Sequence, residues 1–165
     1  MRDNPQIAAD PQVQSCVQQL TEGIASAYAL SERDMLMGLE GNCAKAYFSI
    51  FDKLILQQKD DFRMNARTKR PPLDPVNAAL SFLYAVMTAQ CAGALESVGL
   101  DSAYGFYHAL RPGRASLACD MVEEMRYLAE RIVLTLINLK KLTRKDFERQ
   151  ENGAVLLTRE GRKTV

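Results

Sequence analysis

No large excess of either charge marks this sequence. Its 21 Lys and Arg stand against 20 Asp and Glu, a formal net charge of +1. Bulk charge therefore predicts no polyanion partner, and any nucleic-acid reading has to rest on local patches. A C-x-x-C pair is also missing. The four cysteines, Cys16, Cys43, Cys91 and Cys119, are dispersed, which removes the usual cysteine metal and redox motifs. Each lies in an apolar stretch and reads as a buried free thiol, which fits a reducing, cytoplasmic setting. The opening MRDNPQIAADPQ has no apolar core of the kind a signal peptide needs. No internal repeat or low-complexity tract occurs. Histidine is scarce, with His108 its one instance.

What is present is helical patterning. The 165 residues, 47% apolar and 25% charged, suit one soluble domain able to bury a core without staples. Residues 11–30 read as a first helix, with Val13, Val17, Leu20 and Ile24 three or four apart. Ser31 opens a second, and Asp34 three residues on suggests a weak capping box. That helix runs to about residue 56 and contains Gly38 and Gly41, each costing roughly 1 kcal/mol against alanine. Glycines flanking Glu40 predict a close approach of something to that glutamate. Residues 57–72, polar and basic and ending in Pro71 and Pro72, read as a mobile loop. Asp74 and Pro75 form an N-cap and N1 pair for a third helix, which Gly99 ends. Residues 76–95 carry no charge and match a membrane span in length. Asn77, Ser81, Thr88, Gln90 and Gly93 interrupt them, so they read as a central helix buried on all sides. Ser116 caps a long fourth helix, 117–140. Asn152-Gly153 between short apolar runs signals a hairpin, and Thr158 caps a last helix. The expected fold is an all-α helical bundle with a small β-hairpin near the C-terminus.

Several residues could carry chemistry. His108 sits in a loop, where a lone histidine serves either structure or function. Asp120, Glu123 and Glu124 fall at i, i+3 and i+4 and can share one side of a helix. Asp120 has apolar neighbours, so it is either buried with a partner or bound to a cation. Alternatively these carboxylates form a solvated face paired with Arg126 and Arg131. Glu40 alone is a surface glutamate; with the others it supplies a carboxylate from a second helix. Two carboxylates and one imidazole suit Mg²⁺ or Mn²⁺. Arg63, Arg67, Lys69 and Arg70 lie in the loop, Arg111 and Arg114 flank His108, and Lys140, Lys141, Arg144 and Lys145 follow the fourth helix. Such charge runs are usually solvated loops, but here they bracket the acids as phosphate positioning would require.

Three runs, taken together, are specific: LMGLEGNCAKAYF at 36–48, RPPLDPVN at 70–77 and GFYHALRPGRASLACDMVEEMR at 105–126. They resemble the CRISPR-associated integrase, the metal-dependent endonuclease of the spacer-acquisition module, in a form similar to that of subtype I-C systems. The resemblance covers nearly the whole chain. It implies a helical catalytic domain over 1–165 with Glu40, His108 and Glu123 as metal ligands, Asp120 as a fourth site acid beside a catalytic His108, and Asn77 in support. It favours Glu123 over Glu124. Arg67, Lys69, Arg70, Arg111 and Arg114 would meet double-stranded DNA. The implied reaction is transesterification by a DNA 3′-hydroxyl at the CRISPR repeat boundary. The implied partners are a second copy of the chain and the small second CRISPR-associated adaptation protein, with no membrane. Full members of the family begin with a β-rich domain and continue into further helices, so a truncated chain is expected. A competing reading is a non-catalytic helical module that binds DNA or a partner. A helical transcription regulator would need a recognition helix with clustered Arg, Asn or Gln, and none is seen.

Overall fold

The computed structural model describes residues 4–165, and they divide into two compact units. The first holds residues up to 56 together with 64–67; the second holds 57–63 and 68–165. One domain was expected from length.

In the first unit a short helix α1 (Pro5–Ala8) precedes α2 (Pro11–Ala27) and α3 (Arg33–Ile50), with a 3-10 turn at Phe51–Leu54. Asp10 starts α2 by accepting the N–H groups of Gln12 and Val13, ahead of a proline at N1. The capping box expected at Ser31 does not form. Helix α3 begins two residues later, behind Glu32, whose side chain makes no cap. The apolar stripe buries Val13 and Cys16 against Ile50, with Leu20, Ala46 and Leu54 around them. Tyr47, Phe48 and Phe51 pack beside each other, with ring centroids 5.3–5.7 Å apart. A side chain on Gly38 or Gly41 would meet nothing within 4 Å, so close packing on these two positions does not require glycine. The glycine that does allow close packing is Gly23, where an added Cβ would lie 2.5 Å from Cys43 Sγ.

The second unit is built on α4 (Pro75–Ser97), which packs against α5 (Ser116–Glu123), α6 (Arg126–Asn138) and the hairpin strand β2 (Val155–Leu157). Asp74 caps α4 through the N–H of Asn77 at 2.8 Å, and Gly99 beyond its end takes φ +82°. Burial is confined to the first half of α4: Val76, Asn77, Ala78, Ala79, Leu80 and Leu83. The expectation of a helix buried on all sides is therefore corrected. By length and composition alone it is the one described helix able to cross a membrane. The long fourth helix is also corrected, because it is two helices. Met125 between them takes φ −112° and ψ 0°. Glu123, Glu124 and Arg126 are good helix formers and no Pro or Gly stands at the break, so nothing local announces it. Ser116 is the first helical residue rather than a cap, and its Oγ donates to Ala109 O at 3.0 Å.

Strand β1 (Phe147–Arg149) pairs antiparallel with β2, Glu148 opposite Leu156, and Gly153 at φ +81° closes the turn as the Asn-Gly signal predicted. Thr158 caps α7 (Arg159–Thr164) by accepting Gly161 N–H at 3.1 Å. The segment 57–63 is not the loose loop its composition suggests. Phe62 is fully buried edge-on against Phe147, and Gln58 Nε2 donates to the carbonyls of Ile137 and Leu142. All four cysteines are free thiols. Cys16 alone is buried, the others being half-buried, which corrects the expectation for Cys43, Cys91 and Cys119.

Candidate functional site

Asp120 organises the site within the second unit. It lies near the middle of α5 with its side chain fully enclosed. A carboxylate in such a place requires partners, and the run 105–108 wraps around it to provide them. Oδ2 accepts the N–H groups of Phe106 at 2.7 Å and Tyr107 at 3.0 Å. Oδ1 accepts the N–H of His108 at 2.8 Å and lies 2.7 Å from Nδ1 of the same residue. Burial pushes the Asp120 pKa up, but the three amides and the imidazole outweigh it and hold the carboxyl below its ordinary value. Ionised, Asp120 is an acceptor only, so Nδ1 of His108 carries the proton and donates. In a neutral ring so oriented, Nε2 is the nitrogen with the lone pair. Of the two readings open for Asp120, burial with a partner is the one the chain shows.

Gly105 makes the wrap possible. A Cβ there would fall 2.9 Å from Asp120 Oδ2, 2.7 Å from His108 O and 2.8 Å from Ser116 Cβ. Neither Gly105 nor Ser116 figured as a site residue in the sequence. The signal that could have found Gly105 is its place at the head of Gly-Phe-Tyr-His, where backbone amides must approach a side chain closely.

Glu123 lies one turn on from Asp120 and is half-buried. Its Oε2 accepts from Arg126 at 2.7 Å across the α5–α6 junction. The pairing with Arg126 read from spacing is thus present for Glu123, whereas Glu124 is exposed. Arg126 also lies over the Tyr84 ring, 4.9 Å from its centroid, and the Tyr84 hydroxyl donates to Glu130 Oε1 at 2.7 Å. Burial and the Glu130 charge push the Tyr84 pKa up. Burial of Arg126 works against its charge, yet Glu123 and Tyr84 more than restore it.

Glu40 stands on α3 in the first unit, half-buried. Among the described residues no three His, Cys, Asp or Glu side chains form a group able to hold a metal. Two side chains of the second unit, His108 and Glu123, are of the types that ligate divalent ions. An imidazole backed by a buried carboxylate is the usual outer-sphere arrangement of a metal-bound histidine, and Glu123 spends one carboxylate oxygen on Arg126.

Asn77 is fully buried. Its Oδ1 accepts Thr68 N–H at 3.0 Å and its Nδ2 donates to Asp74 Oδ2 at 2.6 Å. It therefore ties the 68–74 segment to the start of α4. Among the basic candidates Lys69, Arg70 and Arg111 are exposed and Arg114 is half-buried. Arg67, in the first unit, lies 5.9 Å over the Phe48 ring.

Comparison with known proteins puts these observations in a family. The profile described as CRISPR associated protein Cas1 matches residues 1–165. The chain is 53% identical over 135 residues to the Rhodospirillum rubrum protein named CRISPR-associated endonuclease Cas1 2, covering 81% of this chain and 39% of that protein. It is 44% identical over 166 residues to a Cas1 endonuclease of Chlorobaculum tepidum, covering 100% of this chain and 48% of that one. Among solved structures it superposes on a chain of a partial Cas6-RT-Cas1–Cas2 complex with TM-score 0.84 and 30% identity, over 96% of this chain and 48% of that one. A Cas1 protein from Thermotoga maritima gives TM-score 0.78 at 29% identity, over 87% and 46%. A casposase bound to integration product gives 0.76 at 28%, over 90% and 44%. The chain spans about half the length of the relatives it matches, or less. With a family profile matched end to end and these motifs in place, the chain belongs to the Cas1 family of CRISPR-associated proteins.

Proposed function

We propose that this chain is the helical catalytic portion of a metal-dependent DNA endonuclease and integrase. In this reading it acts in CRISPR spacer acquisition, joining DNA 3′-hydroxyl ends into the repeat array by transesterification. The observation that carries the reading is the Asp120 clamp. A loop histidine in a helical protein is here held by a buried, ionised carboxylate, with Nδ1 protonated and Nε2 left over. That arrangement is costly to build for structure alone. It is supported by relatives named endonucleases and by a structural neighbour bound to an integration product.

Glu40, His108 and Glu123 are the residues assigned to a Mg²⁺ or Mn²⁺ ion. The chemistry a bound cation supplies is a lowered pKa of the attacking hydroxyl and stabilisation of charge on the leaving oxygen. Asp120 fixes the imidazole tautomer and its orientation, and acts as a positioning residue with all its hydrogen-bonding capacity spent on residues 106–108. His108 Nε2 is the atom that binds the cation or takes a proton. Lys69, Arg70, Arg111 and Arg114, with Arg67, position the phosphates of double-stranded DNA. The assembly partners proposed are a second copy of the chain and a Cas2-type adaptation protein, the latter supported by a neighbour solved in complex with Cas2. The subtype I-C assignment rests on the same motifs. The four free thiols support the cytoplasm as its compartment.

The test pairs calorimetry with a DNA reaction. Purified protein should bind Mn²⁺ and should nick or join duplex DNA carrying a CRISPR repeat. Glu40→Ala and His108→Ala should each abolish the reaction. A native chain that binds no Mn²⁺ and leaves DNA intact would overturn the proposal.

A further inference from the structure

Helices α4 and α6 close with the same turn but with different residues in it. After α4, Leu100 N–H donates to Leu95 O at 3.0 Å and Gly99 N–H to Glu96 O at 3.0 Å, with Gly99 at φ +82°. After α6, Lys141 N–H donates to Leu136 O at 2.8 Å and Lys140 N–H to Ile137 O at 3.0 Å. The left-handed position of that second turn, at φ +55°, is held by Lys140. Glycine fits such a position without strain, whereas a Cβ crowds the neighbouring carbonyl. A lysine kept there points to a use for its side chain. Capping is not that use. The carbonyls of Thr135, Leu136 and Ile137 already accept backbone N–H groups, and Gln58 Nε2 donates to Ile137 O at 2.8 Å and Leu142 O at 3.0 Å. Attraction to the negative end of α6 acts on Lys141 as well and does not require a lysine in the left-handed position.

The turn opens a run of exposed cations: Lys140, Lys141, Arg144, Lys145 and Arg149. None of the five makes an ion pair among the described residues. The acids nearby do not neutralise them. Asp146 is buried, with one carboxylate oxygen accepting Thr143 N–H at 2.7 Å and Thr143 Oγ1–H at 2.9 Å. Glu148 is the one exposed acid between residues 139 and 150. In the 57–63 segment, which Gln58 fastens to this end of α6, Asp60 and Asp61 are matched in number by Lys59 and Arg63. We propose that the 140–149 run is a further contact for the sugar-phosphate backbone of DNA, adding affinity without reading sequence. Charge complementarity favours repeating phosphates as the occupant. A protein partner would need apolar anchors, and Leu139 is the only large apolar side chain exposed from 139 to 149. This contact is inferred on the reading that the chain works on DNA, yet binding through it requires neither a metal nor the reaction.

The experiment measures DNA affinity by fluorescence anisotropy over a range of salt concentrations, with a chelator present so that no metal contributes. Two duplexes of unrelated sequence are used. The variants are Lys140→Gly and the double variant Arg144→Gln with Lys145→Gln. Each charge removed should make the slope of log affinity against log salt shallower by about 1, equally on both duplexes. Lys140→Gly should also melt at or above the native temperature, because glycine relieves the left-handed backbone. Lys163→Gln is the control. It removes the same charge from a lysine already paired with Glu160 at 2.8 Å, and its slope should stay native. If Lys140→Gly does not fold, as judged by circular dichroism, the double variant carries the test. A native slope in a folded variant overturns the inference, as does an equal change in Lys163→Gln, which would report bulk charge alone. A melting temperature below native in Lys140→Gly overturns it too, since the lysine would then serve the fold. No DNA binding by the native chain, or a loss on one duplex only, has the same result. A chain that binds DNA as expected but neither binds Mn²⁺ nor cuts DNA overturns the catalytic reading and leaves this contact standing.

Discussion

Asp120 and Gly105 form one device at the residue scale, and each predicts a measurable loss. Gly105→Ala puts a methyl within 2.7 Å of a backbone carbonyl and 2.9 Å of the Asp120 carboxylate. A backbone atom cannot swing aside as a side-chain end can. The variant should lose about 1–3 kcal/mol in denaturant unfolding, as overpacked sites do. Asp120→Asn keeps the size but removes the charge, and turns an amide N–H₂ toward groups that are themselves donors. A loss of about 1–3 kcal/mol is expected, with the 105–108 amides exchanging faster with solvent. The Asp120 pKa is lowered in the folded chain. Its contribution is therefore present above the unfolded carboxyl value, about 3.9, and is lost as pH falls through the lower folded value. Native stability should drop over that acid window more steeply than that of Asp120→Asn. Parallel curves would mean the carboxylate is not stabilised by its partners. Spacing along the chain could not choose between Asp120 as ligand and Asp120 as anchor, because that choice depends on four hydrogen bonds from residues 12–14 positions away.

Elements in this chain announce themselves where their ends are local. Asp74-Pro75, Asn152-Gly153 and Thr158 are cap or turn signals contained in two to four residues, and each formed where read. Elements that end for tertiary reasons were not legible. The α5–α6 break lies among good helix formers, and its bridge is the Glu123–Arg126 ion pair. The 57–63 segment looks loose because its sequence is polar, yet the buried Phe62 and the Gln58 hydrogen bonds fasten it. Phe62→Ala should cost about 3–5 kcal/mol, the range for a buried phenylalanine, and should free that segment to limited proteolysis. A surface-like change below about 0.5 kcal/mol would show that the segment is loose after all. Asn77 works at the same scale, holding Thr68 N–H and Asp74 together at the start of α4. Asn77→Ala should remove the side-chain acceptor of the half-buried Thr68 N–H, at about 1–3 kcal/mol, with the loss seen first in hydrogen exchange at residue 68.

For the molecule as a whole, a cation that binds the folded chain and not the unfolded one raises its stability by mass action. Mn²⁺ at about 100 times its Kd should add ~2.7 kcal/mol, and chelation should remove it. The melting temperature should rise with Mn²⁺ in the native chain and stay flat in His108→Ala. A rise of equal size in both would place the cation elsewhere. Composition and period were enough to determine that this chain is helical with a terminal hairpin, since both follow from local propensity and from the spacing of apolar residues. The motif runs at 36–48, 70–77 and 105–126 were enough to determine its family. Tertiary structure alone decided which acid is an anchor, which helix is broken, and that Tyr84 meets the buried Glu130. Those facts depend on burial and on contacts between residues up to 46 positions apart. Such pairings are set by packing, and neither propensity nor spacing along the chain encodes them.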